Sequence, residues 1–168
     1  MDKGVVQIIC GSGRGKTSMA LGRGIGAVTK NQKVIMIQFL KGVLSPEMSD
    51  WLKRLEPGLK VFRFEKQSEY FEKLTEHQKE EERINIHNGI NFARKVLTTG
   101  ECDMLILDEF LGLLDQGLIT MLEVEQLLSL REDSVDVIMT GKVCARELCS
   151  FADQISCIEN VQVDKPGK

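Results

Sequence analysis

The chain has 168 residues, of which 42% are hydrophobic and 28% charged, and its formal net charge is −3. This length and apolar content predict one domain over residues 1–168 with an ordinary buried core, and they argue against a long disordered tail. The slightly acidic balance argues against general nucleic-acid binding, which usually requires a basic surplus.

Apolar segments and helical segments alternate along the chain. Buried strands rich in β-branched residues are predicted over residues 5–10, 34–39, 60–64, 104–108, 135–139 and 155–158. Helices are predicted over residues 17–30, 45–55, 75–97, 120–130 and 145–151. Apolar strands separated by helices predict an α/β fold, with a mostly parallel sheet and helices on both faces. In such folds ligands bind at the carboxyl ends of the strands.

The pattern of charged residues and cysteines predicts the compartment. No stretch free of Asp, Glu, Lys and Arg exceeds ten residues, whereas a membrane-spanning helix needs about 20 apolar residues. The five cysteines are scattered and form no CxxC pair, so we expect reduced thiols rather than a zinc or redox motif. We therefore expect a soluble, cytoplasmic protein with no membrane partner and no nucleic-acid partner.

A glycine-rich segment between the first strand and the first helix is typical of phosphate binding. It reads Gly11-Ser12-Gly13-Arg14-Gly15-Lys16-Thr17-Ser18. Its glycines let backbone N–H groups converge, Lys16 supplies a full positive charge, and Thr17 offers a hydroxyl to Mg²⁺. A glycine-rich turn without a ligand is the alternative, which the order of strand, GKT and helix disfavours. The common GxxxxGK[ST] spacing would require glycine at Cys10, so this loop is one residue short and should hold a polyphosphate differently.

Two acids follow the fourth predicted strand. Asp108 and Glu109 come directly after the apolar residues 105–107. In phosphate-loop proteins an acid at this place holds Mg²⁺, directly or through water. The alternative is a solvated strand end.

Three further segments occur in order with these motifs: Gln38-Phe39-Leu40-Lys41-Gly42, Thr140-Gly141 and Ala152-Asp153. From about residue 5 to residue 159 the sequence therefore resembles the phosphate-loop ATP:corrinoid adenosyltransferases, which act on cob(I)alamin or cob(I)yrinic acid a,c-diamide. The resemblance implies a P-loop NTPase-like (RecA-like) fold. It also implies transfer of the 5′-deoxyadenosyl group of ATP to Co(I) of a corrinoid with release of triphosphate, ATP lying reversed in the loop. Mg²⁺ or Mn²⁺, a flavin-type reductase and a homodimer are implied as well.

The resemblance also implies roles for individual residues. Lys16, Thr17 and Glu109 would be catalytic, and Thr17, Asp108 and Glu109 would hold the metal. The residues expected to bind ATP are Gly11, Ser12, Gly13, Arg14, Gly15, Lys16, Thr17, Ser18, Gln38, Phe39, Lys41 and Thr140. Core packing remains an alternative for Phe39, a solvated surface for Lys41, and for Glu47 we favour the role of a first-turn acid in its helix.

The chain departs from the family pattern at several positions. Gly26 stands where the family usually has Arg, and Lys142 stands where it often has Arg, which a lysine does not replace in bidentate binding. Trp51, the only tryptophan, is not placed like the family's Phe-x-Trp element, which displaces a lower cobalt ligand. The candidates to replace that element, with ordinary packing as the alternative, are Phe62, Phe64, Tyr70 and Phe71.

Other features are expected to be structural. His77 and His87 should lie on the surface, and the mixed charges of residues 65–83 should form a solvated helix face. Only about four residues precede the first strand, so no N-terminal lid is expected. Two other functions compete with adenosyl transfer. One is phosphoryl transfer, which the short loop disfavours, and the other is a non-catalytic nucleotide- or corrinoid-binding protein, which Lys142 and the missing Phe-x-Trp element favour.

Overall fold

The computed structural model describes residues 2–40, 45–65, 67 and 69–165. In these ranges six strands form one parallel sheet in the order β3-β2-β4-β5-β1-β6. The strands are β1 (Val6–Cys10), β2 (Val34–Gln38), β3 (Leu59–Arg63), β4 (Met104–Asp108), β5 (Asp136–Thr140) and β6 (Gln154–Cys157). Each lies within one residue of its predicted bounds. The α/β, P-loop NTPase-like fold is confirmed.

Helices connect the strands. They are α1 (Lys16–Val28), α2 (Pro46–Lys53), α3 (Glu76–Thr99), α4 (Phe110–Asp115), α5 (Met121–Ser129) and α6 (Arg146–Cys149), with a 3₁₀ turn at Phe71–Lys73. The sequence does not predict α4 or the 3₁₀ turn, because neither is long enough to show a helical period. Across the described residues, no helix combines the length and the apolar character that crossing a membrane requires.

Both faces of the sheet are covered, because alternate strand residues point to opposite sides. On one face Ile35 and Leu105 belong to a core that also contains residues of α3, α4 and α5. On the other face Met36 and Ile106 pack with Ala20 of α1. This arrangement confirms the predicted helices on both faces.

The helix ends follow the expected local chemistry. Ser45 caps α2 by accepting the N–H of Met48, and Pro46 occupies the first helical turn. Thr75 and Gln78 form a capping box at the start of α3, which ends at Gly100 in the left-handed conformation. The predicted start of α2 and the predicted end of α3 are therefore confirmed.

The register of the strands aligns their carboxyl ends. Gln38, at the end of β2, is the register partner of Arg63 on one side and of Asp108 on the other. Thr140 ends β5, the strand next to β4. Polar side chains from four neighbouring strands therefore meet at one edge of the sheet, beside the loop that follows β1.

Candidate functional site

The loop between β1 and α1 depends on two glycines. Gly15 precedes α1 with φ of 105°, in the region that side chains other than glycine rarely adopt. Gly11 has φ of 112°, and a Cβ there would lie 2.2 Å from the carbonyl oxygen of Ile158. The N–H of Gly11 donates to the carbonyl of Lys142 at 3.0 Å, and the N–H of Gly13 donates to Ile158 at 2.8 Å. The loop is thus fastened to the segments that follow β5 and β6.

The loop forms the wall of a cavity of about 300 Å³. Its described lining residues are Ser12, Gly13, Arg14, Gly15, Lys16, Thr17, Ser18 and Glu109. The ammonium of Lys16 donates to the carbonyl of Gly13 at 2.8 Å, across the base of the loop. Lys16 is also the first residue of α1, so the positive end of the helix dipole and the lysine charge act at the same place. This combination attracts an anion such as a polyphosphate.

Asp108 is the centre of the polar contacts at the sheet edge. Its carboxylate has no exposed surface. The Thr17 hydroxyl donates to Oδ1 at 3.0 Å, the Thr140 hydroxyl donates to Oδ1 at 2.7 Å, and the Gln38 amide donates to Oδ2 at 3.0 Å. The structure therefore brings three of the predicted site residues onto a fourth.

Glu109 lies beside this centre in an unusual backbone conformation. Its φ is 59°, which is costly for a residue other than glycine or asparagine. The Thr140 hydroxyl oxygen accepts its N–H at 2.9 Å, which holds the turn in place. The turn ends β4, starts α4, and places Glu109 on the wall of the loop cavity.

The oxygen atoms at this edge suit a hard cation. Thr17 contributes a hydroxyl, and Asp108 and Glu109 contribute carboxylates, which are the groups that Mg²⁺ and Mn²⁺ prefer. Asp108 already accepts hydrogen bonds from three side chains, so it suits a metal held through water better than one held directly. In the described part of the chain, no three His, Cys, Asp or Glu side chains are grouped so as to hold a metal by themselves.

A larger cleft of about 530 Å³ adjoins the loop cavity, and Glu109 lines both. Its described lining residues are Leu40, Glu65, Gln67, Glu69, Tyr70, Phe71, Glu72, Leu74, Glu82, Glu109, Gly112, Asp115, Gln116, Lys142 and Val143. Among these are six carboxylates and one lysine. The expectation of a solvated helix face over residues 65–83 is wrong in two respects. The helix α3 begins only at Glu76, and the side chains of Glu65 and Glu82 are buried beside the cleft.

Sequence reasoning missed Arg63, which extends the polar contacts toward the edge strand β3. Its guanidinium donates to the Gln38 side-chain oxygen at 2.8 Å and forms an ion pair with Glu65. The residue stands in register with Gln38, but this became visible only with the strand order.

The other predicted site residues lie apart from this centre or outside the described ranges. Phe39 is fully buried and packs against Phe110, with ring centroids 5.9 Å apart, in agreement with the core-packing alternative. Lys41 lies outside the described residues. Glu47 lies exposed in the first turn of α2, in agreement with the role of a first-turn acid. Gly26 is exposed, with open space where a Cβ would lie.

The aromatic residues fall into two groups. Phe62 and Phe64 pack against Phe92, with ring centroids 4.6 and 5.7 Å away. Tyr70 and Phe71 line the large cleft. Trp51 lies on α2, 62% exposed, under the guanidinium of Arg54. Of the four candidates for the Phe-x-Trp element, therefore, only the second pair lies beside the cleft.

The two histidines lie on the surface of α3, as expected. His77 is an ion-pair neighbour of Glu81, and His87 of Glu123 on α5, each at 3.7 Å. Neither residue lines the loop cavity or the cleft. Both histidines are therefore surface residues of α3.

Comparison with known proteins gives consistent matches. A family model described as ATP:corrinoid adenosyltransferase BtuR/CobO/CobP matches residues 2–164. The corrinoid adenosyltransferase of Escherichia coli strain K12 is 28% identical over 162 residues, which are 96% of this chain and 79% of that protein. Corrinoid adenosyltransferase CobA of Salmonella typhimurium is 26% identical over the same shares of the two chains.

Proposed function

Because the chain belongs to the ATP:corrinoid adenosyltransferase family, we propose that the phosphate loop binds the triphosphate of ATP and that the large cleft receives the corrinoid. The chain is an enzyme that transfers the adenosyl group of ATP to a corrinoid in cobalamin biosynthesis. The observation that carries the proposal is that the loop cavity and the cleft share Glu109 as a common wall. Two substrates bound there would meet at that residue.

The proposed reaction is a displacement at carbon. The Co(I) of the corrinoid attacks the ribose C5′, a cobalt–carbon bond forms, and the C5′–oxygen bond breaks. The electron pair of that bond leaves with the triphosphate. No protein base is required, because the nucleophile is already reduced.

The protein's main task in this reaction is to stabilise the departing triphosphate. Lys16 and the N–H groups of residues 11–18 would neutralise the charge that grows there, which is the main way that fixed dipoles and cations lower a barrier. Arg14 lines the same cavity and adds a second cation. Reversed binding of ATP in the short loop would place C5′ toward the cleft.

Thr17, Asp108 and Glu109 are the residues that would hold Mg²⁺ or Mn²⁺. When bound, the ion would neutralise part of the triphosphate charge. Thr140 and Gln38 would keep Asp108 in place, since both donate to its carboxylate. For Phe39 and Lys41 a contact with ATP stays a prediction from the resemblance.

Several wider proposals rest on the same resemblance. Residues 1–168 would form one nucleotide-binding domain that acts in the cytoplasm as a homodimer. A flavin-type reductase would supply the electron that produces Co(I).

One assay tests the function. The protein is incubated with ATP, Mg²⁺ and a chemically reduced Co(I) corrinoid, and the products are separated chromatographically. Adenosylcorrinoid together with triphosphate is the expected result. ADP or phosphate formed without corrinoid would instead indicate phosphoryl transfer, and binding without products would indicate a non-catalytic protein.

The variant Lys16→Ala tests the role of the loop cation. We expect it to lower turnover by at least about a hundredfold, since removing one fixed charge stabiliser typically costs this much. Lys30→Ala, an exposed lysine just beyond the other end of α1, is the matched control and should retain turnover. Full activity in Lys16→Ala would contradict the proposed role of the loop.

A further inference from the structure

Three side chains form a polar row across the carboxyl edge of the sheet. Arg63 ends β3, Gln38 ends β2 and Asp108 ends β4, and the register places Gln38 directly between the other two. Gln38 is 5% exposed and Asp108 is fully buried, so their contacts exchange little with water. Hydrogen bonds between groups buried away from water are stronger than those exposed to it.

The guanidinium of Arg63 determines the orientation of the Gln38 side-chain amide. Arg63 donates to Gln38 Oε1 at 2.8 Å, and Gln38 Nε2 donates to Asp108 Oδ2 at 3.0 Å. A guanidinium has only donors, so it accepts no bond from the amide nitrogen. With the oxygen directed at Arg63, the nitrogen is directed at Asp108. The positive charge of Arg63 also polarises the amide, which strengthens its donation to the carboxylate.

Arg63 is itself held in position. A second nitrogen of its guanidinium pairs with Glu65, and the side chains of the two residues are 20% and 8% exposed. Glu65 is part of the wall of the large cleft. A continuous bonded path therefore runs from that wall through Arg63, Gln38 and Asp108 to the Thr17 hydroxyl.

We propose that Arg63 is a positioning residue for the binding of ATP with its metal ion. It acts through Gln38 on Asp108, which holds the Thr17 hydroxyl at the start of α1. Arg63 lines neither the loop cavity nor the large cleft, so its effect is indirect. This inference rests on the proposed function in one respect, namely that the phosphate loop binds ATP.

Titration calorimetry with ATP and Mg²⁺, without corrinoid, tests the proposal on the full chain. We expect Arg63→Met to raise the dissociation constant of ATP about tenfold, as expected for loss of a charge-assisted hydrogen bond that orders the site. Arg63→Lys keeps the positive charge but lacks the paired N–H donors of the guanidinium, and should give an intermediate dissociation constant. Lys60→Met, an exposed cation on the same strand, is the matched control and should bind ATP as the unaltered chain does.

A second series tests whether Arg63 acts through Gln38. In a chain that already carries Gln38→Met, the further change Arg63→Met should leave the dissociation constant unchanged, because the connection is already broken. A further tenfold loss in that background would overturn the proposal. Wild-type affinity in a folded Arg63→Met variant would overturn it as well.

Two measurements keep these results interpretable. Thermal unfolding of each variant shows whether it folds. If Arg63→Met does not fold, the dissociation constant of Arg63→Lys is compared with that of the unaltered chain instead. Steady-state assays should show a larger change in the KM for ATP than in the KM for the corrinoid, whereas a change confined to the corrinoid KM would contradict the proposal. If the unaltered chain itself does not bind ATP, the proposed function is wrong. If the Arg63 variants bind ATP as tightly as the unaltered chain, only the proposal for Arg63 is wrong.

Discussion

The buried carboxylate of Asp108 shows how single residues determine this site. An unpaired charge in a protein interior is very costly, but one that accepts several hydrogen bonds is tolerated. Thr17, Gln38 and Thr140 supply those bonds. Thr140 does so while also accepting the N–H of Glu109, so one hydroxyl serves both acids of the motif.

Thr140→Val removes both contacts while keeping the size of the side chain. We expect the free energy of unfolding to fall by about 1–3 kcal/mol, the usual cost of leaving buried polar groups without partners. Chemical denaturation followed by circular dichroism measures this change. Thr140→Ser retains the hydroxyl, so its free energy of unfolding should fall much less. Equal stability of the valine and serine variants would contradict the assigned contacts.

At the scale of elements, α1 is a helix with three glycines that differ in surroundings. Gly22 and Gly26 have open space where a Cβ would lie, whereas a Cβ at Gly24 would come within 2.9 Å of Leu59 and 3.1 Å of Ile106. Gly24 therefore lets α1 approach the sheet closely. The other two leave the helix without the stabilising effect of a side chain.

The three glycines give opposite predictions for the same substitution. Gly22→Ala and Gly26→Ala should each raise the free energy of unfolding by up to about 1 kcal/mol, because alanine is the better helix former. Gly24→Ala should lower it by about 1–3 kcal/mol through overpacking. Thermal and chemical denaturation of the three variants provides the measurement, and a stabilised Gly24→Ala would contradict the close packing of α1.

The start of α5 gives a prediction about pH. The backbone N–H of Thr120 donates to Glu123 and is the main reason that the pKa of this carboxyl lies below its ordinary value of 4.5. A carboxyl with a depressed folded-state pKa stabilises the fold above its unfolded-state pKa, and loses this contribution as the pH falls through the folded-state pKa.

Glu123→Gln should therefore be less stable than the unaltered chain at pH 7. The difference should shrink as the pH falls below about 4.5, where the carboxyl takes up a proton. Urea denaturation at a series of pH values measures it. Glu125→Gln, an exposed acid on the same helix, serves as the control, and a difference for Glu123→Gln that stays constant with pH would contradict the argument.

At the scale of the whole molecule, local patterns predicted more than long-range arrangement. The six strands, the caps of α2 and α3, and the loop cavity follow from periodicity, capping residues and the GKT motif. Strand order does not, because β2 lies between β3 and β4 although its chain neighbours are β1 and β3. Arg63 is connected to Asp108 through Gln38 only because β2 also pairs with β4, so its proposed role does not follow from the sequence. The acidic cleft was missed because Glu65 and Glu82 look like surface residues.

Under our proposal that the cleft receives the corrinoid, the charges of its described lining residues predict a preference among corrinoids. Its described lining residues include six carboxylates and one lysine. A corrinoid with carboxamide side chains can donate hydrogen bonds to these groups, whereas one with free carboxylates would be repelled. We expect a higher kcat/KM for the fully amidated corrinoid, with a ratio that falls as salt screens the charges.

Paired variants test this preference. Glu69→Gln with Glu72→Gln should reduce the ratio of kcat/KM values, since both residues line the cleft. Glu76→Gln with Glu80→Gln removes two charges from the exposed side of α3 and should leave the ratio unchanged. Equal kcat/KM for the two corrinoids in the unaltered chain would show that the cleft charge plays no part.

The pairing of β1 has a consequence for protein synthesis. Its neighbours in the sheet are β5 and β6. The N–H of Val5, just before β1, donates to Asp136, and the N–H of Val6 donates to Asp153, across 131 and 147 residues of sequence. On the ribosome this strand must wait on the order of ten seconds for its partners, at ordinary rates of elongation. Gly11 and Gly13 are held by Lys142 and Ile158, which also emerge late. The loop between β1 and α1 therefore gains these contacts only after residue 158 has been synthesised, and a ligand that needs the finished loop cannot assist the earlier stages of folding.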